Sequence, residues 1–413
     1  MLDSRRTIIT GVPVTIRSIE AILVDIPTTR VHRLSFGDIT AQNYVIVRVT
    51  SEEGVVGVGE ASTIGGPAWA EESTETIKLI IDTYLTPQLL SRDARDLRAI
   101  SGHMDRLVKG NRFAKAAVEM ALLDLVARTW GLPAHQLLGG KVHNSLELAW
   151  TLASGHTQAD IEEGEAKLAA RLHRNFKLKI GYGEPKVDVA HAVQIAQHFG
   201  GRARVQVDVN QAWDEITATC CIAQLQAAGV SLIEQPVPRQ QVDAMARLAT
   251  RFDVPIMADE ALATTADAMA LVARGAADVF ALKLTKAGGP WATLKVAAIA
   301  EAAGVPCYGG CMLETSIGTA AYLHTFVAIE GIRWGCELFG PLLLKDDLVT
   351  QPLVYRDHAI HLHDGPGFGV DIDPAKLAFY RRDRAAVIAL SRPTATSGSH
   401  TGDTDAVPRA HAS

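Results

Sequence analysis

The sequence predicts an α/β fold, a (β/α)8-type barrel preceded by an α+β domain. Three features carry the prediction. Eight apolar runs recur from Leu146 onward, most of them separated by helix-like stretches such as "ATLKVAAIAEAAG", the rhythm of strand and crossover helix. Ahead of them, alternating apolar and polar residues give way to spacing by threes and fours, which places strands first and helices second. Charged residues stand near the ends of four consecutive runs, at Asp208, Glu234, Asp259 and Lys283, at intervals of 26, 25 and 24 residues.

Residues 1–17 read as a loose arm. No signal peptide is expected there, because Met1–Arg17 lacks a basic start followed by an apolar core. "SIEAILVDIP" and "NYVIVRVTSEEGVVGVGEA" alternate with period two, the second around a Ser51-Glu52-Glu53-Gly54 turn, and predict an antiparallel meander. "EESTETIKLIIDTYL" and "RFAKAAVEMALLDLVARTW" predict helices, the latter stopping at Gly131 with Pro133 just beyond. The α+β domain is assigned to 18–140 and the barrel to 141–345. The barrel strands are "LELAWTLAS", "FKLKIG", "RVQVDVN", "VSLIEQP", "VPIMADE", "VFALKLTKAG", "VPCYGG" and "RWGCELFG". A return segment over 346–391, with the Gly- and Pro-rich "HAIHLHDGPGFGVDIDP", is expected to pack on the first domain. The tail over 392–413 has almost nothing apolar to bury and reads as disordered.

The bulk properties agree with an enzyme of this size. A chain of 413 residues, 48% hydrophobic and 21% charged, has core material for a barrel and an accessory domain. A net charge of -6 without any Lys/Arg run argues against a nucleic-acid partner. No apolar run approaches the 18 or so residues that span a bilayer, so no membrane partner is expected. Five cysteines with no CxxC pair predict neither a disulfide framework nor a zinc knuckle, and Cys307 and Cys311 read as small core residues. The expected compartment is the cytoplasm.

The ladder of charged residues is the functional signal. In a barrel the carboxyl ends of the strands meet at one mouth, so residues placed once per repeat converge. Asp208, Glu234 and Asp259 would repel one another there unless a cation joined them. Oxygen-only ligands suit a hard divalent ion, Mg2+ or Mn2+. "FKLKIG" adds Lys177 and Lys179, which at i and i+2 of a strand project to one face. A lone K-x-K reads as a solvated edge strand, but here the lysines lie across the mouth from Lys283. That arrangement suits proton transfer at a carbon beside a carboxylate, with an ion stabilising the enediolate-like anion. The pKa of Lys179 is expected to be lowered by burial, by Lys177 and by the ion.

These residues carry a resemblance. The K-x-K, the D-x-N of "VDVNQAW", the E-Q-P of "LIEQP", the A-D-E of "IMADE" and the lysine of "ALKLTKAGGP" resemble the enolase superfamily, specifically its muconate lactonizing subgroup, over about residues 18–385. "GEASTIGGPAW", "AWTLASG" and "WGCELFGPLLL" place the likeness close to the muconate and chloromuconate branches. The resemblance implies that the α+β domain caps the barrel over the substrate. It implies metal ligands at Asp208, Glu234 and Asp259, the acid/base lysine at Lys179, flanking lysines at Lys177 and Lys283, and a second catalytic group at Glu337. Ile64, Trp69, Asn210, Glu314 and Phe339 are expected to touch substrate. The implied cofactor is Mn2+ in preference to Mg2+, the partner a small-molecule dicarboxylate, and the assembly a homo-oligomer, an octamer.

The implied reaction is lactonization of cis,cis-muconate in aromatic catabolism, with the chloromuconate reaction as the alternative. Ile64 resembles the muconate branch, whereas Pro67 and Trp69 resemble the chloromuconate branch. An o-succinylbenzoate synthase would share the lysines and the ion. A dipeptide epimerase would show D-x-D at the eighth strand, where this chain has Gly335-Cys336-Glu337. A Schiff base on Lys283 would not need three carboxylates, and a non-catalytic ion site would not need lysines beside it.

Overall fold

The computed structural model describes residues 13–34, 37–363 and 365–382. The expected tail and most of the expected arm lie outside the described residues. Strands β1 (Ile16–Leu34), β2 (Gly37–Ser51) and β3 (Val56–Thr63) form the antiparallel meander in that order. One face packs on the helix Arg112–Trp130, whose alanines let it approach closely. At Gly59 a Cβ would lie 2.1 Å from the Ala117 carbonyl oxygen, so strand backbone touches helix backbone and only glycine fits. The other expected helix is α-helical over Thr74–Ile80, started by a Ser73–Thr76 capping box, and continues as a π turn over Ile81–Leu85.

All eight expected barrel strands are present: β5 (Ala149–Leu152), β6 (Asn175–Lys179), β7 (Arg204–Asp208), β8 (Leu232–Glu234), β9 (Ile256–Ala258), β10 (Val279–Leu282), β11 (Cys307–Gly309) and β12 (Ile332–Cys336). They pair in sequential parallel order, and a Leu148–Cys336 bridge joins the first to the last. Helices lie between successive strands, but β12 is followed only by the four-residue helix Gly340–Leu343. The run "LELAWTLAS" is divided. Its first part, β4 (Ser145–Glu147), leaves the barrel to pair with β14 (Ala359–His361), which pairs with β13 (Val354–Arg356). The return segment then docks on the first domain, where the Phe368 backbone N–H donates to Asp124 at 2.7 Å. Among the described residues no helix is long and apolar enough to cross a membrane.

Strand alternation divides the barrel residues into two sets. Phe176, Leu178, Val207, Ile233, Ile256 and Phe280 join the large core under the helices. The opposite parity faces inward. Ala149, Leu232, Met257, Val279, Ala281 and Tyr308 form a separate apolar cluster, and the charged residues continue the same parity toward the carboxyl ends.

Candidate active site

Register brings the ladder together. Lys179 pairs with Asp208, and Asp208 pairs with Glu234. Asp259 stands one residue beyond β9, Lys283 one beyond β10, and Glu337 one beyond β12. All three carboxylates, Lys177, Lys283 and Glu337 are buried. Lys177 donates to Glu234, lies 2.8 Å from Glu337, and sits 4.7 Å from the centre of the Tyr308 ring. The Lys179 ammonium reaches Asp208 at 2.5 Å and the Asn210 side-chain oxygen at 3.2 Å. Lys283 reaches Asp259 at 2.6 Å. A fourth cation was not foreseen: Lys286 donates to the Asp259 carboxylate at 2.7 Å and to its carbonyl at 2.6 Å. Its position in "ALKLTKAGGP", three residues after Lys283 on the short helix Leu284–Ala287, was the available signal.

This crowding sets the protonation behaviour. Burial acts to lower the pKa of Lys179, but the Asp208 carboxylate beside it, with Glu337 and Glu234 behind, outweighs burial and the opposing Lys177 charge, so the pKa is raised. Among the protein's own groups the balance thus runs opposite to the expected depression, which also counts the charge of an ion. Burial also opposes the charge on Lys177, and Glu234 and Glu337 lift its pKa well above the ordinary value. Glu234 is pushed up by burial and by the Asp208 charge despite Lys177. Burial disfavours the charged form of Asp259, yet Lys283 and Lys286 together hold it well below the usual range.

Among the described residues no three His, Cys, Asp or Glu side chains stand close enough together to enclose an ion, and Asp208, Glu234 and Asp259 are each turned onto a lysine. The donor chemistry nevertheless fits a hard divalent cation. Three buried carboxylates project from adjacent strand ends, a concentration of like charge that a cation relieves.

A pocket opens above this layer, between the barrel mouth and the first domain. Lys179, Lys283, Glu337, Asn210 and Phe339 line it from the barrel, and Ile64 and Trp69 from the first domain. Glu314 does not line it. Its carboxylate turns back to accept from the Met312 N–H at 2.8 Å, because the backbone after β11 curls at Leu313. His32, Thr151, Cys311 and Leu313 also line the pocket and were missed. Thr151 shares the inward parity of Ala149 and was recoverable by that rule. His32 comes from β1, and nothing local marked it. Its ring is buried, and burial, then Arg30 and Lys179, hold its pKa well below the ordinary value.

Residues 18–139 match the family described as mandelate racemase / muconate lactonizing enzyme, N-terminal domain, and residues 160–376 match the enolase C-terminal domain-like family. The chain is 48% identical over 367 residues to a chloromuconate cycloisomerase of Pseudomonas putida, covering 89% of this chain and 99% of that one. It is also 48% identical over 371 residues to muconate cycloisomerase 1 of Pseudomonas putida, covering 89% and 99%. The muconate lactonizing enzyme from Pseudomonas fluorescens, solved in complex with muconolactone, superposes with a TM-score of 0.89 at 47% identity, covering 90% of this chain and all of that one.

Proposed function

Because this chain belongs to the mandelate racemase / muconate lactonizing enzyme family, we propose that it is a cycloisomerase that closes cis,cis-muconate to muconolactone. The observation that carries the reading is the lysine-lined pocket directly above a ladder of buried carboxylates. Asp208, Glu234 and Asp259 would hold a divalent ion, Mn2+ in preference to Mg2+. When bound, that ion supplies positive charge opposite a substrate carboxylate that gains electron density during the reaction.

The residues of the chain divide the remaining work. One substrate carboxylate oxygen forms a C–O bond to a double-bond carbon, and the electron pair of that double bond moves toward the other carboxylate. Lys179 delivers a proton to the carbon beside that carboxylate, so the reaction is an isomerisation with no redox partner. Lys283 faces Lys179 across the pocket and binds substrate charge. Lys177 lies beneath and orients Glu234 and Glu337 through its ion pairs. Ile64, Trp69 and Phe339 supply apolar walls that hold the flexible diacid folded, the step in which positioning contributes most. The same site fits a chloromuconate, and the identity to both kinds of relative is equal at 48%.

The test is turnover of cis,cis-muconate by the Mn2+-loaded chain, followed by loss of diene absorbance and by identification of muconolactone. A higher kcat/KM for 2-chloromuconate, with stoichiometric chloride release, moves the chain to the chloromuconate reading. Absence of turnover on both removes the proposal. We also read the protein as a cytoplasmic homo-oligomer, an octamer, which light scattering of the purified chain checks.

A further inference from the structure

Leu313 lines the pocket with φ at +58°, in the left-handed region that a bulky side chain rarely adopts. Such a conformation persists where the surroundings hold it. Here the surroundings belong to the other domain. On β2 the Gln42 side-chain amide donates to the Met312 carbonyl at 3.1 Å, and two residues on the Tyr44 hydroxyl donates to the Leu313 carbonyl at 2.9 Å. On β3, Glu60 stands opposite Ile46, on the same face of the sheet. Its carboxylate accepts from the Thr315 N–H at 2.9 Å, from the Gly318 N–H at 3.1 Å, and from the Thr315 hydroxyl. Gln42, Tyr44 and Glu60 are all buried. From the far side the turn is closed by Gly340, where a Cβ would lie 2.2 Å from the Glu314 carbonyl oxygen.

Three side chains of the first domain thus grip Met312, Leu313 and Thr315 of a barrel loop, on both sides of its strained position. We propose that Tyr44 is a positioning residue for the reaction: by donating to the Leu313 carbonyl it keeps Leu313 in its left-handed conformation and so sets that part of the pocket wall. Gln42 and Glu60 hold the flanks. The first domain then shapes the pocket in two ways, through His32, Ile64 and Trp69, which line it, and through Tyr44, which does not. The kinetic part of this inference rests on the cis,cis-muconate reading.

The test is Tyr44→Phe in the full, Mn2+-loaded chain, alone and combined with Leu313→Gly. Phenylalanine keeps the ring and removes only the donor. The expected result is faster amide hydrogen exchange over Cys311–Gly318 and a KM for cis,cis-muconate raised about three- to tenfold, the factor one neutral hydrogen bond carries, with kcat changed less than about twofold. Glycine adopts positive φ without help, so in the Leu313→Gly background the Tyr44→Phe change should raise KM less than about twofold. Unchanged exchange over Cys311–Gly318 overturns the proposal whatever the kinetics, and so does a Tyr44→Phe effect of equal size in both backgrounds. Faster exchange in a chain that does not turn over cis,cis-muconate supports the grip on Leu313 and removes the substrate reading instead.

Discussion

The Lys283 ammonium nitrogen lies 4.5 Å from the centre of the Trp69 ring, so a loop of the first domain covers a cation at the end of a barrel strand. Both residues line the pocket. A cation over an indole face is worth about 0.5 to 2 kcal/mol, depending on desolvation. The same ring offers apolar area to whatever substituent the substrate carries.

Trp69→Tyr removes part of that area. A chlorinated substrate should lose more contact than an unsubstituted one, and a group of methylene size in a pocket is worth about 1 to 3 kcal/mol. The ratio of kcat/KM for cis,cis-muconate over 2-chloromuconate is expected to rise at least about fivefold. Steady-state assays with both substrates check this, and an unchanged or lower ratio counts against Trp69 as the wall beside the substituent.

Lys179→Ala removes the group assigned to proton delivery and leaves the carboxylates in place. Activity is expected to fall by about 10²- to 10⁴-fold, the range for a general acid or base, with the circular dichroism spectrum unchanged. Retention of more than about a tenth of the activity would sink the assignment.

Asp208→Asn, Glu234→Gln and Asp259→Asn should each weaken Mn2+ binding and abolish turnover, because each removes one anionic oxygen donor. Titration calorimetry with Mn2+ reads the first effect independently of the second. Chelation followed by dialysis should inactivate the wild-type chain, and added Mn2+ should restore it. Full activity after exhaustive chelation contradicts the assignment of an ion.

Gly59→Ala places a methyl group 2.1 Å from the Ala117 carbonyl oxygen and 2.6 Å from the Ala121 nitrogen, so β3 and the helix Arg112–Trp130 must separate. Overpacking of this kind costs about 1 to 3 kcal/mol. A lowered urea midpoint is expected, and a midpoint equal to wild type would show that the two elements yield without cost.

Glu119 is buried in that helix, and its carboxylate accepts from the Trp291 N–H at 2.8 Å. Burial pushes its pKa up from 4.5 to about 7. A carboxyl raised in the folded state binds more protons there than in the unfolded chain. Its contribution to stability is therefore complete below about pH 4.5 and is lost as pH rises through about 7, with a limiting slope of about 1.4 kcal/mol per pH unit. Glu119→Gln should flatten the stability curve across that window and raise stability at pH 8 relative to wild type. Parallel curves for the two proteins, from urea melts at pH 5, 6, 7 and 8, would refute this.

The barrel and its ladder could be read from the chain because both depend on local periodicity. Alternation along a strand decides which residues face inward, and a repeat of 26 and then 25 residues places Asp208, Glu234 and Asp259 near the ends of adjacent strands. Neither needs knowledge of distant segments. The same rule, applied to β5, reaches Thr151.

What tertiary structure alone decided are the properties summed over neighbours from remote parts of the chain. His32 reaches the pocket only because the meander folds over the barrel, and Leu146 leaves the barrel because Ile360, more than two hundred residues later, pairs with it. Glu314 has the sequence position of a pocket residue, yet the left-handed turn at Leu313, held by Tyr44 from β2, points its carboxylate back at Met312. The pKa of Lys179 shows the physical reason most directly. Its sign is the balance of burial and Lys177 against Asp208, Glu337 and Glu234, and such opposing effects depend on separations of a few ångströms that no spacing along the chain encodes.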